Sequence, residues 1–336
     1  MKIEAMLYEK LDRGMVHCKV CAHECRIQPS NYGICGVRQN IDGTLYSLVF
    51  AECVAAHVDP VEKKPLYHFR PGTSTFSIAT MGCNFKCGFC QNWQISQIAG
   101  AYTALPITKE LAPRLVVELA LDRGCGSISY TYTEPTVFFE YAFETAKLAH
   151  AAGLSNIFVT NGYMSASALD LIGPFLDAAN VDLKSFNELT YRTSCRASLQ
   201  PVLETIRRMK KMGIWTEITT LIIPGENDSD EELHTIAGFI AELDTEMPWH
   251  ISRFHPDYRY SRSEPTPLSS LERTLAIGKK AGLKYVYLGN VAEGSDTFCP
   301  GCSKPLIRRS GYKTGPISLH QGRCTKCQAV ISGVWN

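Results

Sequence analysis

The sequence predicts an α/β fold, a partial TIM-like barrel of the (β/α)6 type with small metal-binding segments at its N- and C-terminal ends. The first observation is an alternation of short β-branched runs with segments of helical periodicity from Thr75 to Asn290. The second is a glycine just before several of these runs, placed as C-cap glycines are. The third is the cysteine distribution, because most of the 14 cysteines fall into three tight clusters.

Composition limits the classes of function that this chain of 336 residues can have. A hydrophobic content of 45% allows a sizeable core, and a net charge of +1 does not favour nucleic acid or an anionic membrane as a partner. No apolar run approaches the roughly 20 residues of a membrane helix, and the charged N-terminus does not resemble a signal peptide. We therefore expect a cytoplasmic protein whose cysteines bind metal rather than form disulfides.

Three segments follow from the pattern. Residues 1–70 carry the first cysteine cluster and end in a connector rich in proline and charge, residues 71–290 hold the alternating runs, and residues 291–336 carry the last cluster. Seven runs of the middle segment are predicted strands: TFSIAT, SISYTY, NIFVTN, NVDLK, WTEITTLII, HISRF and KYVYLGN. We expect the outer segments to be metal-binding appendages of the middle one.

The predicted helices between these strands have apolar faces and glycine ends. Two faces are defined by apolar spacing: Val137, Tyr141 and Leu148, and Val202, Ile206 and Met209. Four glycines are predicted C-caps: Gly124, Gly153, Gly213 and Gly282. Six or more right-handed strand–helix units can curl into a full or partial barrel. A flat doubly wound sheet stays open as the alternative, although the chain has no G-x-G-x-x-G fingerprint to favour it.

Polar side chains follow several of the predicted strands. In barrels of this kind, chemistry is placed at the carboxyl ends of the strands. The loop with Cys83, Cys87 and Cys90 directly follows the first strand of the alternation. Six further candidates lie at other strand ends: Glu134, Thr160, Asn161, Asp182, Lys184 and His255. We expect all of them to converge at one mouth of the barrel.

The two outer clusters each supply four thiols. Two C-x2-C pairs, Cys299/Cys302 and Cys324/Cys327, resemble a zinc ribbon, and a rubredoxin-like iron site would have the same ligands. The N-terminal cluster has the spacing C-x2-C-x3-C-x9-C, formed by Cys18, Cys21, Cys25 and Cys35. Its ligands suit either a structural zinc ion or an auxiliary iron–sulfur cluster, and spacing alone does not decide between them.

The middle cluster differs because it has three cysteines, Cys83, Cys87 and Cys90, in a C-x3-C-x2-C loop. A complete iron–sulfur site has four thiolates, so one iron would lack a protein ligand here. An open coordination position marks a reactive metal site. The alternative is a zinc site completed by a distant histidine or cysteine.

This loop, with the aromatic Phe89 before its last cysteine, resembles the signature of the radical S-adenosylmethionine (SAM) superfamily. The resemblance implies a [4Fe–4S] cluster held by Cys83, Cys87 and Cys90, with SAM on the fourth iron. It also implies reductive cleavage of SAM to a 5′-deoxyadenosyl radical, which abstracts hydrogen from a substrate. An electron donor such as flavodoxin or ferredoxin is implied as well.

The barrel is similar to the branch that contains pyruvate formate-lyase activating enzyme. That similarity assigns Glu134 to the methionine amino group, and Asp182 and Lys184 to the methionine carboxylate and ribose region. It places Thr160 and Asn161 near the cofactor, and we expect His255 on the substrate or cofactor side. The whole chain resembles the AmmeMemoRadiSam system radical SAM enzymes, through motifs such as DPVEKKPLYHFRPG and CPGC…GRCTKCQ. This implies a Memo-like partner and gives no substrate.

Two hypotheses of different classes remain. The first is a radical SAM enzyme that acts on a protein, a peptide or a small molecule, with a glycyl-radical enzyme activase as one version. The second is a zinc-dependent module that uses its cysteine pairs to bind protein or RNA. The near-zero net charge argues against nucleic acid.

Overall fold

The computed structural model describes residues 1–98 and 108–335. Within these ranges the largest sheet has eight strands. They are β1 (Ala55–Pro60), β2 (Ser74–Ala79), β3 (Ser127–Tyr130), β4 (Ser155–Thr160), β5 (Ala178–Asp182), β6 (Trp215–Ile222), β7 (Trp249–Arg253) and β8 (Val286–Gly289). Strands β2 to β8 are parallel, and β1 pairs with β2 in the antiparallel direction.

The order of the strands in space identifies the barrel. Strands β1 to β8 follow one another across the sheet in chain order, without the reversal that a doubly wound sheet has. In the described part of the chain β1 and β8 are not hydrogen-bonded to each other, so the barrel stays open on one side. This arrangement confirms the predicted partial barrel and rules out the flat alternative.

Helices cover the outer face of the sheet. The longer ones are α1 (Pro113–Asp122), α2 (Phe139–Ala151), α3 (Ala166–Ile172), α4 (Leu199–Lys211), α5 (Asp230–Leu243) and α6 (Leu268–Lys280). Apolar residues such as Phe76, Ile78 and Ile128 pack beneath them, whereas the small polar Ser77 and Ser129 alternate with these on the other face. No helix of the described chain has the length and apolar character needed to cross a bilayer.

One of the two predicted helix faces and the four predicted C-cap glycines are confirmed, and the other face is wrong. Val202, Ile206 and Met209 are all fully buried on α4, and the four predicted C-cap glycines have φ between +65° and +93°. The predicted face through Val137 and Leu148 is wrong, because Leu148 is exposed on α2. Val137 lies in a separate 3-10 turn, Pro135–Phe138, so helical spacing counted from it is out of phase with α2.

Small antiparallel sheets form the two ends of the chain. The N-terminal strands are Ile3–Glu4, Tyr8–Lys10, Val16–Cys18, Arg26–Ile27, Arg38–Ile41, Thr44–Ser47 and Glu52–Cys53. The C-terminal strands are Thr297–Phe298, Pro305–Ser310, Lys313–Ile317, Leu319–His320 and Arg323–Cys324. Strand β1 belongs to the main sheet although it precedes residue 71, so the connection between the first segment and the barrel is a shared sheet edge.

Candidate active site

One cavity of about 390 Å³ gathers the predicted site residues at the carboxyl ends of the parallel strands. A volume of this size is ordinary for a small-molecule site. Nine of the ten predicted catalytic and cofactor-binding residues line it: Cys83, Cys87, Phe89, Cys90, Glu134, Thr160, Asn161, Asp182 and Lys184. The convergence inferred from strand ends is therefore present in the structure.

The cysteine loop is a tight connection between β2 and a short helix, Trp93–Ser96. Gly82 has φ +95°, and a Cβ there would lie 2.7 Å from the Val37 side chain. Glycine is therefore favoured at this position both by the backbone conformation and by the N-terminal segment that packs against it. The Phe85 amide donates to Cys83 Sγ at 3.4 Å, and Cys90 Sγ lies 3.2 Å from the Ser96 hydroxyl. Burial raises the pKa of the Cys83 and Cys90 thiols.

Glu134 is a buried carboxylate at the end of β3. Its Oε1 accepts hydrogen bonds from the Thr136 amide at 3.0 Å and from the Thr160 hydroxyl at 2.8 Å. Its Oε2 accepts one bond in the structure, from the Asn161 amide at 2.8 Å, and so keeps acceptor capacity for a further donor. Burial raises the pKa of Glu134, and these donors oppose the rise.

Asp182 and Lys184 form an ion pair at the end of β5, with Lys184 Nζ 2.9 Å from Asp182 Oδ2. Burial opposes charge on Lys184, but Asp182 and the nearby Cys87 and Cys195 thiols outweigh it and hold the pKa of the ammonium above its usual value. The same ammonium lies 5.9 Å from the centre of the Phe89 ring. The pair thus presents a carboxylate and a cation to one side of the cavity.

The comparisons with known proteins agree with this site. An uncharacterized protein of Methanocaldococcus jannaschii is 44% identical over 329 residues, 96% of this chain and 97% of its own. The family model described as the radical SAM superfamily matches residues 77–237, which include the cysteine loop and the ends of β3, β4 and β5. The chain belongs to the radical SAM superfamily.

A further relative and a solved structure are more distant in sequence. A putative glycyl-radical enzyme activating enzyme of Methanocaldococcus jannaschii is 28% identical over 237 residues, 69% of this chain and 85% of its own. The crystal structure of a radical SAM methyltransferase from Sphaerobacter thermophilus superposes with a TM-score of 0.51 and 16% identity, covering 68% and 69% of the two chains. That likeness shows the shared partial barrel alone.

Membership of the radical SAM superfamily implies a [4Fe–4S] cluster and SAM, and the donor set of this cavity suits both. Three thiols supply the soft ligands that iron–sulfur clusters require. Among the described residues no fourth cysteine lines the cavity, which leaves one coordination position for a ligand from outside the chain. The Glu134 carboxylate and the Asp182–Lys184 pair line the same cavity as the thiols. Together they offer an anion and a cation to the two charged groups of a zwitterionic ligand.

His255 is the predicted residue that the structure does not place in the cavity lining. It is exposed at the rim, where its ring lies 2.9 Å from the Gln91 side chain, and Gln91 does line the cavity. The prediction was based on the end of β7, and this strand ends at Arg253, two residues before His255.

Sequence reasoning missed one part of the cavity wall. It carries Lys63, Lys64 and Tyr132, and Asp59 behind them accepts bonds from Lys63 at 2.8 Å, from Lys64 at 2.7 Å and from the Tyr132 hydroxyl. Burial lowers the pKa of Lys64 to about 8. The two lysines lie in a segment that resembles a connector, and Tyr132 next to Glu134 was the signal that could have found this wall.

Cys195 lies outside the three cysteine clusters of the sequence and is buried in the core beside the radical SAM loop. Its thiol contacts Cys87, and this contact together with burial raises the pKa of the Cys87 thiol. The backbone around Cys195 also accepts hydrogen bonds from the Lys86 and Gly88 amides, at 2.9 and 3.1 Å. Cys195 thereby fixes the middle of the radical SAM loop from outside the cavity.

The two outer tetrads lie in the N-terminal and C-terminal segments. The sulfurs of Cys299, Cys302, Cys324 and Cys327 all lie within 4.8 Å of one another, as ligands of one metal ion do. Amide groups of Cys327 and Lys326 donate to Cys324 and lower its pKa to about 6, which favours the thiolate that a metal needs. The N-terminal tetrad lines a second, small cavity behind the radical SAM loop.

Proposed function

We propose that this radical SAM enzyme reductively cleaves SAM at a [4Fe–4S] cluster held by Cys83, Cys87 and Cys90. One observation carries the proposal: the three thiols and the polar ends of β3, β4 and β5 line a single cavity. When bound, the cluster and SAM supply one electron and a 5′-deoxyadenosyl radical, which abstracts hydrogen from a substrate.

Glu134 is proposed to bind the methionine ammonium. Its Oε1 is already occupied by the Thr136 and Thr160 donors, so the carboxylate is held rigidly in one orientation. Oε2 can accept a further hydrogen bond besides the one from the Asn161 amide. A bond there from a charged ammonium would be strong, because the carboxylate is buried. Thr160 and Asn161 act through this carboxylate as positioning residues.

Asp182 and Lys184 are proposed to bind the carboxylate and the ribose. Lys184 is charged near neutral pH, because its pKa is held up by Asp182, so it attracts a carboxylate. Asp182 Oδ2 accepts from this ammonium and keeps a second oxygen for ribose hydroxyl donors. Phe89 gives the same region an apolar face, and His255 is proposed to act from the rim through Gln91.

The substrate is proposed to enter beside Lys63, Lys64 and Tyr132. This wall lines the same cavity as the cysteine loop, and none of its three residues is assigned to SAM. Two ammonium groups suit a substrate with an anionic group. The substrate is proposed to be a protein, a peptide or a small molecule that presents such a group. A flavodoxin or ferredoxin is proposed as electron donor.

A glycyl-radical enzyme activase is the second candidate. The 28% identity with a putative activating enzyme over 69% of the chain supports it. The two appended four-cysteine segments, at residues 1–70 and 291–336, are proposed to be metal-binding additions to the 71–290 barrel, with zinc at the C-terminal one. The AmmeMemoRadiSam resemblance and its Memo-like partner stay predictions.

Electron paramagnetic resonance (EPR) of anaerobically reconstituted protein tests the proposal. The reduced wild type should give a cluster signal that changes when SAM is added, because SAM binds at the open position. The C83A/C87A/C90A variant should give no signal that responds to SAM. A wild-type signal indifferent to saturating SAM would contradict the proposal.

A further inference from the structure

The N-terminal and C-terminal tetrads each have four cysteines, but the distances between their sulfurs differ. Zinc holds thiolates at about 2.3 Å in a tetrahedron, so its ligand sulfurs lie roughly 3.8 Å apart. The C-terminal sulfurs match, with Cys299 and Cys327 3.4 Å apart and Cys302 and Cys324 3.8 Å apart. In the described chain, no three N-terminal cysteines come within the 4.8 Å that includes the whole C-terminal set.

The N-terminal sulfurs surround a space. Cys18, Cys21, Cys25 and Cys35 all line one cavity of about 10 Å³. Four thiolates closed on one zinc ion at about 2.3 Å leave no such room. A cluster of several irons and sulfides sets its cysteine ligands farther apart than a single ion does. The spread of the four sulfurs therefore fits a cluster better than an ion.

Two buried donors that line this cavity have no hydrogen-bond partner among the described residues. They are Asn84 Nδ2 and Arg38 Nε, and each residue is only 1% exposed. The other Arg38 nitrogens are bound to Glu140, at 3.0 and 2.6 Å. Buried donors without partners are costly, and an anionic cluster with inorganic sulfides and thiolates would accept from both.

The orientation of the Asn84 amide follows from its neighbours. Asn161 Oδ1 accepts from the Tyr163 amide at 3.1 Å, so its Nδ2 is the group that faces Asn84. That Nδ2 donates to Asn84 Oδ1 at 2.8 Å, which leaves Asn84 Nδ2 as the donor without a partner. Asn84 directly follows Cys83, and its Oδ1 lies 3.8 Å from Cys83 Sγ.

We propose that Cys18, Cys21, Cys25 and Cys35 bind a second iron–sulfur cluster, to which Asn84 donates a hydrogen bond from the radical SAM loop. Four protein thiolates leave this cluster no open position, so it exchanges electrons and does not bind substrate. In each turnover it takes one electron from an external one-electron donor and passes one to the loop cluster, with no bond made or broken. The inference goes beyond SAM cleavage, which the loop cysteines are proposed to perform by themselves.

Metal and sulfide counts on anaerobically reconstituted full-length protein test the inference. The wild type should hold about eight irons and eight sulfides per chain, and the C83A/C87A/C90A variant about four of each. When reduced, that variant should give an EPR signal that SAM does not change. The matched variant C25S/C35S should lose about four irons and keep the SAM-responsive signal.

A wild type with about four irons and two zinc ions, and a C83A/C87A/C90A variant without iron, would overturn the inference. If that variant does not fold, the wild-type iron count and the number of reduced spins per chain still decide. Wild-type protein that cleaves SAM with one cluster sinks this inference and leaves the proposed function. Protein that holds two clusters and never cleaves SAM would contradict the proposed function and leave this inference.

The Asn84→Leu substitution in the C83A/C87A/C90A background tests the hydrogen bond. Hydrogen bonds to cluster sulfurs help set reduction potentials, so the remaining cluster should become harder to reduce. A matched Asn92→Leu variant removes another amide of the loop, one that bonds to the Tyr132 carbonyl and does not line the N-terminal cavity. Equal midpoint potentials in the two variants would contradict the role of Asn84.

Discussion

The cysteine loop at the mouth of the barrel and the C-terminal tetrad are two thiol sites with opposite designs. The tetrad has four sulfurs within 4.8 Å of one another, packed beside a small core of Tyr285, Leu306 and Ile331. The loop has three sulfurs that line a cavity of about 390 Å³ together with carboxylates and lysines. The tetrad can complete its own metal site, whereas the loop needs a ligand from outside the chain.

This difference shows how a cysteine count translates into chemistry. A complete set of thiolates leaves metal no free position, and its binding energy stabilises the local fold. An incomplete set next to polar strand ends binds a ligand on the metal and makes it reactive. We therefore expect substitutions at the tetrad to change stability first, and substitutions at the loop to change SAM chemistry first.

The largest expected effect follows from Cys327→Ser. Cys327 is exposed, so the substitution has little packing cost of its own, and it removes one of four metal ligands. Structural metal sites contribute on the order of 10 kcal/mol to local folding, so residues 297–335 should become sensitive to limited proteolysis. The matched Cys90→Ser variant should lose iron and keep this region resistant. Equal proteolysis of both variants would break the comparison.

The second prediction is a pH dependence of stability at the joint between barrel and C-terminal segment. His68 is fully buried, donates from Nδ1 to the Ser332 carbonyl at 2.6 Å and accepts from the Tyr287 hydroxyl at 2.6 Å. Burial lowers its pKa to about 4. The unfolded chain, with an ordinary histidine pKa of about 6.5, binds the extra proton between these values, so stability falls as pH drops through this window.

The size of this loss is on the order of 3 kcal/mol between pH 6.5 and pH 4. Urea unfolding of wild type, His68→Gln and the exposed control His234→Gln at several pH values measures it. His68→Gln should flatten the slope and His234→Gln should leave it unchanged. Identical slopes in all three proteins would show that His68 does not control the joint.

The third prediction concerns Glu134 at the open site. Glu134→Gln removes the negative charge proposed to bind the SAM ammonium, and a charged hydrogen bond contributes about 1.5–3 kcal/mol. We expect SAM affinity to fall about 10- to 100-fold, measured by titration of the reduced cluster signal. Glu144→Gln, at the surface of α2 beside Lys147, is the control and should bind SAM as the wild type does. Unchanged affinity in Glu134→Gln would remove this residue from the site.

The smallest expected effect is at Gly82, where the loop packs against the N-terminal segment. Gly82→Ala forces a Cβ to within 2.7 Å of Val37 and 3.0 Å of the Cys35 carbonyl, at φ +95°. Gly213→Ala is the control, with φ +78° and open space around it, and should cost about 1 kcal/mol. Gly82→Ala should cost about 1–3 kcal/mol more in urea unfolding, because overpacking adds to the backbone strain. Equal losses of unfolding free energy in the two variants would mean that Val37 and the Cys35 backbone move aside at no cost.

Local patterns predicted most of the barrel and nine of the residues that line the cavity. Strand runs, C-cap glycines and the rule that chemistry follows strand ends depend on near neighbours in the chain, so Glu134, Asp182 and Lys184 could be found. The wall with Lys63, Lys64 and Tyr132 depends on β1 pairing with β2 from outside the alternation, which no local pattern records. The contact of Cys195 with Cys87 has no local signal either, because the two residues lie more than a hundred positions apart in the chain.

The most direct test of the account is formation of 5′-deoxyadenosine from SAM by anaerobically reconstituted protein under a strong one-electron reductant. We predict that wild type and Glu144→Gln produce it and that the C83A/C87A/C90A variant does not. Production by that variant, or none by wild-type protein whose loop cluster is shown to be present and reduced, would contradict the account.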